Sequence, residues 1–185
     1  MDNYGEELGY WYLRLNGFFP LTNFVLHSLR DEHSKRDYNA DVDLLAIRPP
    51  NAYEEIKGVQ LELDTKIVPN SEKSKYIFVY CEVKTGDYEV EKLFLNERIE
   101  YVKKRCGLTN TSTKSGYHIK KVLIANEEEN GLLDGIVFIS LTDVISFIRN
   151  RFKTYDEYKY PSRMFFKSSL IQLLIHEAKE ASKEA

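Results

Sequence analysis

The chain is poor in the features that let a short polypeptide fold without a core. Its two cysteines, Cys81 and Cys106, sit in unlike contexts and at no zinc-ligand spacing, and the four histidines are scattered, so neither a disulfide framework nor a structural zinc site is implied. Nine glycines and five prolines in 185 residues exclude collagen-like and low-complexity classes. No apolar run approaches the roughly 18 residues of a membrane span, so no membrane partner is expected. Met1 to Glu7 lacks the basic and apolar regions of a secretory leader, which makes a cytoplasmic protein the expectation. Positive charge is not in excess either: 26 Lys and Arg against 29 Asp and Glu leave −3, so any nucleic-acid face must be local.

What is present is core. Hydrophobic residues make up 43% of the chain and aromatics 13%, which is too apolar for disorder and enough for one domain over residues 1–185. Leu8, Tyr12 and Leu15 at helical spacing predict a helix over Glu6 to Asn16, stopped by Gly17. Leu21 to His27 reads as a strand, and Ala40 to Arg48 as a second, ended by Pro49-Pro50. Residues 51–75 form an insertion with a short strand expected within Val59 to Ile67. Tyr76 to Lys84 is apolar on both faces until Glu82, as in a strand inside a sheet. A helix is expected over Val90 to Arg105, stopped by Gly107, then strands at Lys120–Ala125 and Gly135–Ser140. Leu141-Thr142-Asp143 is expected to cap a helix running through Phe152, and a last helix follows Pro161. That order predicts an α/β fold with a core over about 5–148 and C-terminal helices over 149–185.

Chemistry gathers on two of these strands. Glu82 and Lys84 are two residues apart and share a face, with Val79, Cys81 and Val83 opposite, so both charges are expected to leave the core together. Asp41 and Asp43 stand in the same relation, with Val42, Leu44 and Ala46 opposite, and either carboxylate can meet Glu82 across the sheet. Two carboxylates and an ammonium suit a hard cation such as Mg²⁺, which keeps several waters for a phosphate to replace. The ammonium would orient the attacking water or stabilise charge in the transition state. The plain alternative is a set of strand-end charges that pair with one another.

The order of a helix carrying Glu6, then Asp43, then Glu82-Val83-Lys84 resembles the PD-(D/E)XK, restriction-endonuclease-like nucleases over residues 5 to about 148. The opening Gly5-Glu6-Glu7-Leu8-Gly9-Tyr10-Trp11-Tyr12-Leu13, with Asn16-Gly17-Phe18 after it, is similar to the first helix of Holliday junction resolvases and small predicted endonucleases of that superfamily. The resemblance implies a restriction-endonuclease-like core, a mixed central sheet of four or more strands flanked by helices. It implies Asp43 and Glu82 as ligands of Mg²⁺ or Mn²⁺, Lys84 as the catalytic lysine and Glu6 as an accessory carboxylate. Asp43 is preferred to Asp41 because Leu44-Leu45-Ala46-Ile47 follows it at once, as the family's Asp opens its apolar strand. Glu6 is preferred to Glu7 because it shares a face with Gly9 and Leu13, and the small Gly9 lets the helix approach the sheet.

From Lys92 to Lys121 eight basic residues face two acidic ones, a local +6 in a chain of −3. Lys103, Lys104, Arg105, Lys114 and Lys120 are the expected phosphate contacts, against the alternative of a solvated helix end whose cations complement the helix dipole. The expected function is therefore a metal-dependent DNA endonuclease, with DNA preferred to RNA as partner. The competing class is a non-catalytic binding module on a nuclease fold. A homodimer or partner subunit is a further expectation, with Met164, Phe165 and Phe166 of the last helix as the contact or as part of the core.

Overall fold

The computed structural model describes residues 3–26, 40–56, 58–108, 117–126, 135–157 and 168–183. Helix α1 (Tyr4–Leu15) is capped by Asn3, whose side-chain oxygen accepts the Gly5 N–H at 2.9 Å, and it ends where Gly17 takes a left-handed φ of 80°. Strands β1 (Phe19–Leu26) and β2 (Ala40–Arg48) form an antiparallel pair. β2 pairs antiparallel with β5 (Tyr76–Lys84), which pairs parallel with β6 (Tyr117–Ala125), and β6 pairs parallel with β7 (Ile136–Ser140). The result is a five-stranded mixed sheet in the order β1-β2-β5-β6-β7.

Apolar residues on both sides of this sheet explain its two covers. One core joins Leu44, Ala46, Val79, Cys81, Val83, Val122 and Ile124 of the sheet to α1, α4 (Leu141–Glu157) and α5 (Ser169–Lys183). The other joins Leu45, Phe78, Tyr80, Leu123 and Ala125 to Leu93 of α2 (Val90–Leu93), to Phe94, and to Ile99 and Val102 of α3 (Asn96–Arg105). Burying an apolar side chain contributes roughly 1.5–3 kcal/mol, so strands apolar on both faces require both covers. Among the described residues no helix is long and apolar enough to cross a membrane.

Four expectations change on contact with the fold. The short strand expected within Val59 to Ile67 is limited, among the described residues, to β4 (Val59–Gln60), which pairs with β3 (Glu55–Ile56), and a 3₁₀ turn follows at Asn70–Glu72. Leu63, Ile67 and Val68 instead bury in the first core from an irregular path. Asp64 pins that path by accepting the Tyr12 hydroxyl at 2.8 Å and donating its N–H to Asn16 Oδ1 at 2.8 Å. The single helix expected over Val90–Arg105 is two, because Leu93 and Phe94 are followed at helical spacing by Glu97 and Arg98. The break at Phe94–Leu95 resets the phase so that Ile99 and Val102 also face the sheet. Helix α4 is capped by Ser140, whose Oγ accepts the Asp143 N–H at 3.0 Å, so the helix starts as β7 stops. Helix α5 begins at Ser169 with Ser168 Oγ accepting from Ile171, while Pro161, Met164, Phe165 and Phe166 lie outside the described residues.

Candidate active site

Asp43, Glu82 and Lys84 meet where β2 and β5 part. The paired register runs to Leu44↔Cys81, and beyond it the Asp43 carboxylate takes over from the backbone ladder. Its Oδ2 accepts the Val83 N–H at 2.7 Å and Lys84 Nζ at 2.7 Å. Lys84 Nζ also donates to Glu82 Oε2 at 2.9 Å, so one ammonium spans both carboxylates.

Helix α1 reaches this end of the sheet because its small residues allow it to. A Cβ on Gly9 would lie 2.9 Å from Leu44 Cδ1 and 3.2 Å from Val83 Cγ2, and one on Gly5 would lie 2.5 Å from Thr85 Cγ2. Glu6, between them, is brought within reach of the charges on Asp43 and Asp41. Burial first, and then those two carboxylates, raise its carboxyl above the ordinary range. Asp41 is exposed at the sheet end.

Glu82 does not leave the core with Lys84 as the alternation suggested. It is 3% exposed, because α2 and α3 close over the β5 face that carries Tyr80 and Glu82. Burial, followed by the neighbouring Asp43 charge, holds its carboxyl up at about 7 against the pull of Lys84. Burial pulls Lys84 down, but Glu82's charge and the hydrogen bonds to both carboxylates outweigh it, so the ammonium is held above its ordinary value.

Glu82 Oε1, the Tyr80 hydroxyl oxygen and Arg98 Nε are all buried, and the Tyr80 hydroxyl interacts with the Glu82 carboxylate. Tyr80 feels the charge of both Glu82 and Arg98, and burial, then Glu82, push its hydroxyl above the ordinary range. The reading from sequence passed over Tyr80 and Arg98. The signals were a tyrosine two residues before Glu82 on the same strand face, and an arginine beside Ile99 at the sheet-facing side of a helix.

The donor set fits a hard cation that takes two protein carboxylates and keeps its waters, since Asp43 and Glu82 converge on one ammonium. Among the described residues no group of three or more His, Cys, Asp or Glu side chains is placed to hold a metal ion. Any cation would therefore rest on these two carboxylates and water, with Lys84 giving ground.

The expected phosphate contacts are dispersed. Lys103 pairs with Glu100 at 2.6 Å, Lys120 pairs with Glu72 at 2.7 Å and is largely buried, and Lys104 is exposed. Arg105 donates to the Val25 carbonyl at 3.1 Å and lies over the Phe24 ring at 4.7 Å, which ties α3 to β1. Lys114 lies outside the described residues.

The pH dependence of stability follows from Glu82. The unfolded chain loses this proton near 4.5 and the native protein holds it to about 7, so rising pH favours unfolding across that window. In metal-free buffer the wild type is expected to lose on the order of 2–3 kcal/mol from this group between pH 4 and 8, a loss absent from Glu82→Gln. Denaturant titrations of both proteins across that range check it; parallel curves would mean that Glu82 ionises as an ordinary glutamate.

No family model, curated protein or solved structure matches this chain. The functional reading rests on the site itself.

Proposed function

We propose that the protein is a metal-dependent DNA nuclease, an endonuclease of the PD-(D/E)XK kind, with its mixed sheet as a restriction-endonuclease-like core. One observation carries the reading: a buried glutamate and an aspartate that leaves its strand ladder share one lysine at the fork of two strands. Keeping buried like charges together costs stability, and such clusters concentrate where chemistry needs them.

In this reading Asp43 and Glu82 would hold Mg²⁺ or Mn²⁺, which would supply positive charge to acidify a water and screen the scissile phosphate. Lys84, released from one carboxylate, donates to the phosphate oxygen on which charge builds. Asp43 is kept in place by the Val83 N–H, and Glu6, its carboxyl raised by burial and by Asp43 and Asp41, would accept a proton from the attacking water. Lys104, with Lys103 exchanging Glu100 for phosphate, binds the DNA backbone, since exposed ion pairs contribute little. The charge reversals Lys103→Glu and Lys104→Glu together are expected to weaken DNA binding and to reduce the slope of log affinity against log salt by roughly 1 to 2. Equal slopes for variant and wild type would remove these residues from the interface.

The competing reading, a non-catalytic module, draws on the same ammonium: Lys84 already pairs with both carboxylates. Calorimetric titration with Mn²⁺ separates the two. The nuclease reading expects binding that weakens below about pH 7, as Glu82 takes up its proton, and that vanishes in Asp43→Ala. Absence of binding at any pH favours the module.

A further inference from the structure

We propose that Asn23 is a positioning residue: its left-handed backbone, opposite Asp43, switches the faces of β1 and β2 and thereby turns the Asp43 carboxylate out of the ladder onto Val83 and Lys84. In a regular strand successive side chains alternate, and residues paired across strands share a face. On β2, Leu44 and Ala46 face the α1 side and Leu45 faces the α3 side, so alternation would return Val42 to the α1 side. Val42 is instead fully buried in the α3-side core. β1 makes the same switch. Leu21 pairs with Leu45, so Phe24, three residues on, belongs on the opposite face; yet Phe24 pairs with Val42 and packs against the α3-side core.

Both strands change sides between the pairs Thr22↔Leu44 and Phe24↔Val42, and only Asn23 and Asp43 lie between. Those two are not paired with each other, although the register is the same before and after them. Asn23 has φ 52°, in the region that asparagine and glycine enter readily and β-branched residues do not. Its side chain is exposed, so the backbone conformation rather than packing is what the position demands. The kink falls beside the one residue of β2 whose carboxylate must leave the strand.

The consequence for catalysis rests on the nuclease reading; the geometry does not, and the test separates them. Amide hydrogen exchange is measured on the full, metal-free chain at Val83, whose N–H is held by Asp43. Asn23→Gly, which keeps the left-handed backbone, is expected to leave Val83 as protected as in the wild type. Asn23→Val is expected to speed exchange at Val83 by about tenfold while Val79 and Ile124 stay protected. Asn23→Ala, milder in both respects, serves if the valine variant does not fold. Protection of Val83 retained in both Asn23→Val and Asn23→Ala would overturn the proposal, and so would its loss in Asn23→Gly. In Mg²⁺ with duplex DNA, Asn23→Val should lower the single-turnover rate far more than affinity, with the rate recovered in Asn23→Gly. The expected exchange pattern with no cleavage of single-stranded, duplex or branched DNA by any variant or by the wild type would uphold the positioning role and sink the nuclease reading.

Discussion

Asp43→Ala and Glu82→Ala are each expected to lose metal-stimulated DNA cleavage by a hundredfold or more, with the fold retained. Changes one shell further out from a metal typically cost about 10–100-fold, and these two side chains would be the ligands themselves. The two variants should differ in stability. Glu82→Ala removes a buried carboxylate, so relief of its desolvation offsets much of the lost packing above pH 7. Asp43→Ala strips the acceptor from the Val83 N–H and one partner from Lys84, a cost of about 1–3 kcal/mol for the amide left behind that is offset only in part by relieved repulsion with Glu82 and Glu6. Single-turnover cleavage and thermal unfolding of both proteins check the pair. Wild-type cleavage by either variant would remove that residue from the site, and exposed Asp41 would be the next carboxylate to test.

Lys84→Ala is expected to lower the single-turnover rate on the order of 10²–10³-fold while DNA affinity changes little, because only contacts that strengthen in the transition state accelerate the step. The structure adds a second effect. Lys84 is the cation that pulls Glu82 down, so its removal should drive the Glu82 carboxyl above about 7 and move the onset of Mn²⁺ binding to higher pH. Affinity measured in Ca²⁺, rates in Mg²⁺ and Mn²⁺ binding against pH check both effects. A proportional loss of rate and affinity would make Lys84 a phosphate clamp, and an unmoved onset of cation binding would detach it from Glu82.

Much of the sheet was legible because punctuation bounds its strands: Pro49-Pro50 ends β2, and Thr85-Gly86 ends β5 after nine residues. That Glu82 and Lys84 share a face of β5, with Asp43 on the neighbouring strand, followed from period-two spacing. The burial of Glu82 did not, since it is produced by α2 and α3, whose break at Phe94–Leu95 lays both short helices on that face. The switch of faces at Asn23 and Asp43 was also invisible to strict alternation, which placed Val42 with Leu44. An asparagine between Thr22 and Phe24, amid residues that favour strands, was the one local sign of it. The basic segment misled in a different way. Its net charge is a property of sequence, whereas the free surface depends on partners: Glu100, one turn away, was readable, but Glu72 and the Val25 carbonyl arrive only through the fold.

The account stands on cleavage that needs both the cation and the buried glutamate. The most direct measurement incubates wild type and Glu82→Gln with single-stranded, duplex and branched DNA in Mg²⁺, in Mn²⁺ and in EDTA, and follows internal strand breaks. The account predicts breaks by the wild type on at least one of these DNAs in Mg²⁺ or Mn²⁺, none in EDTA, and none by Glu82→Gln. Cleavage that survives EDTA or the Glu82→Gln change, or no cleavage of any of the three DNAs by the wild type, would contradict it.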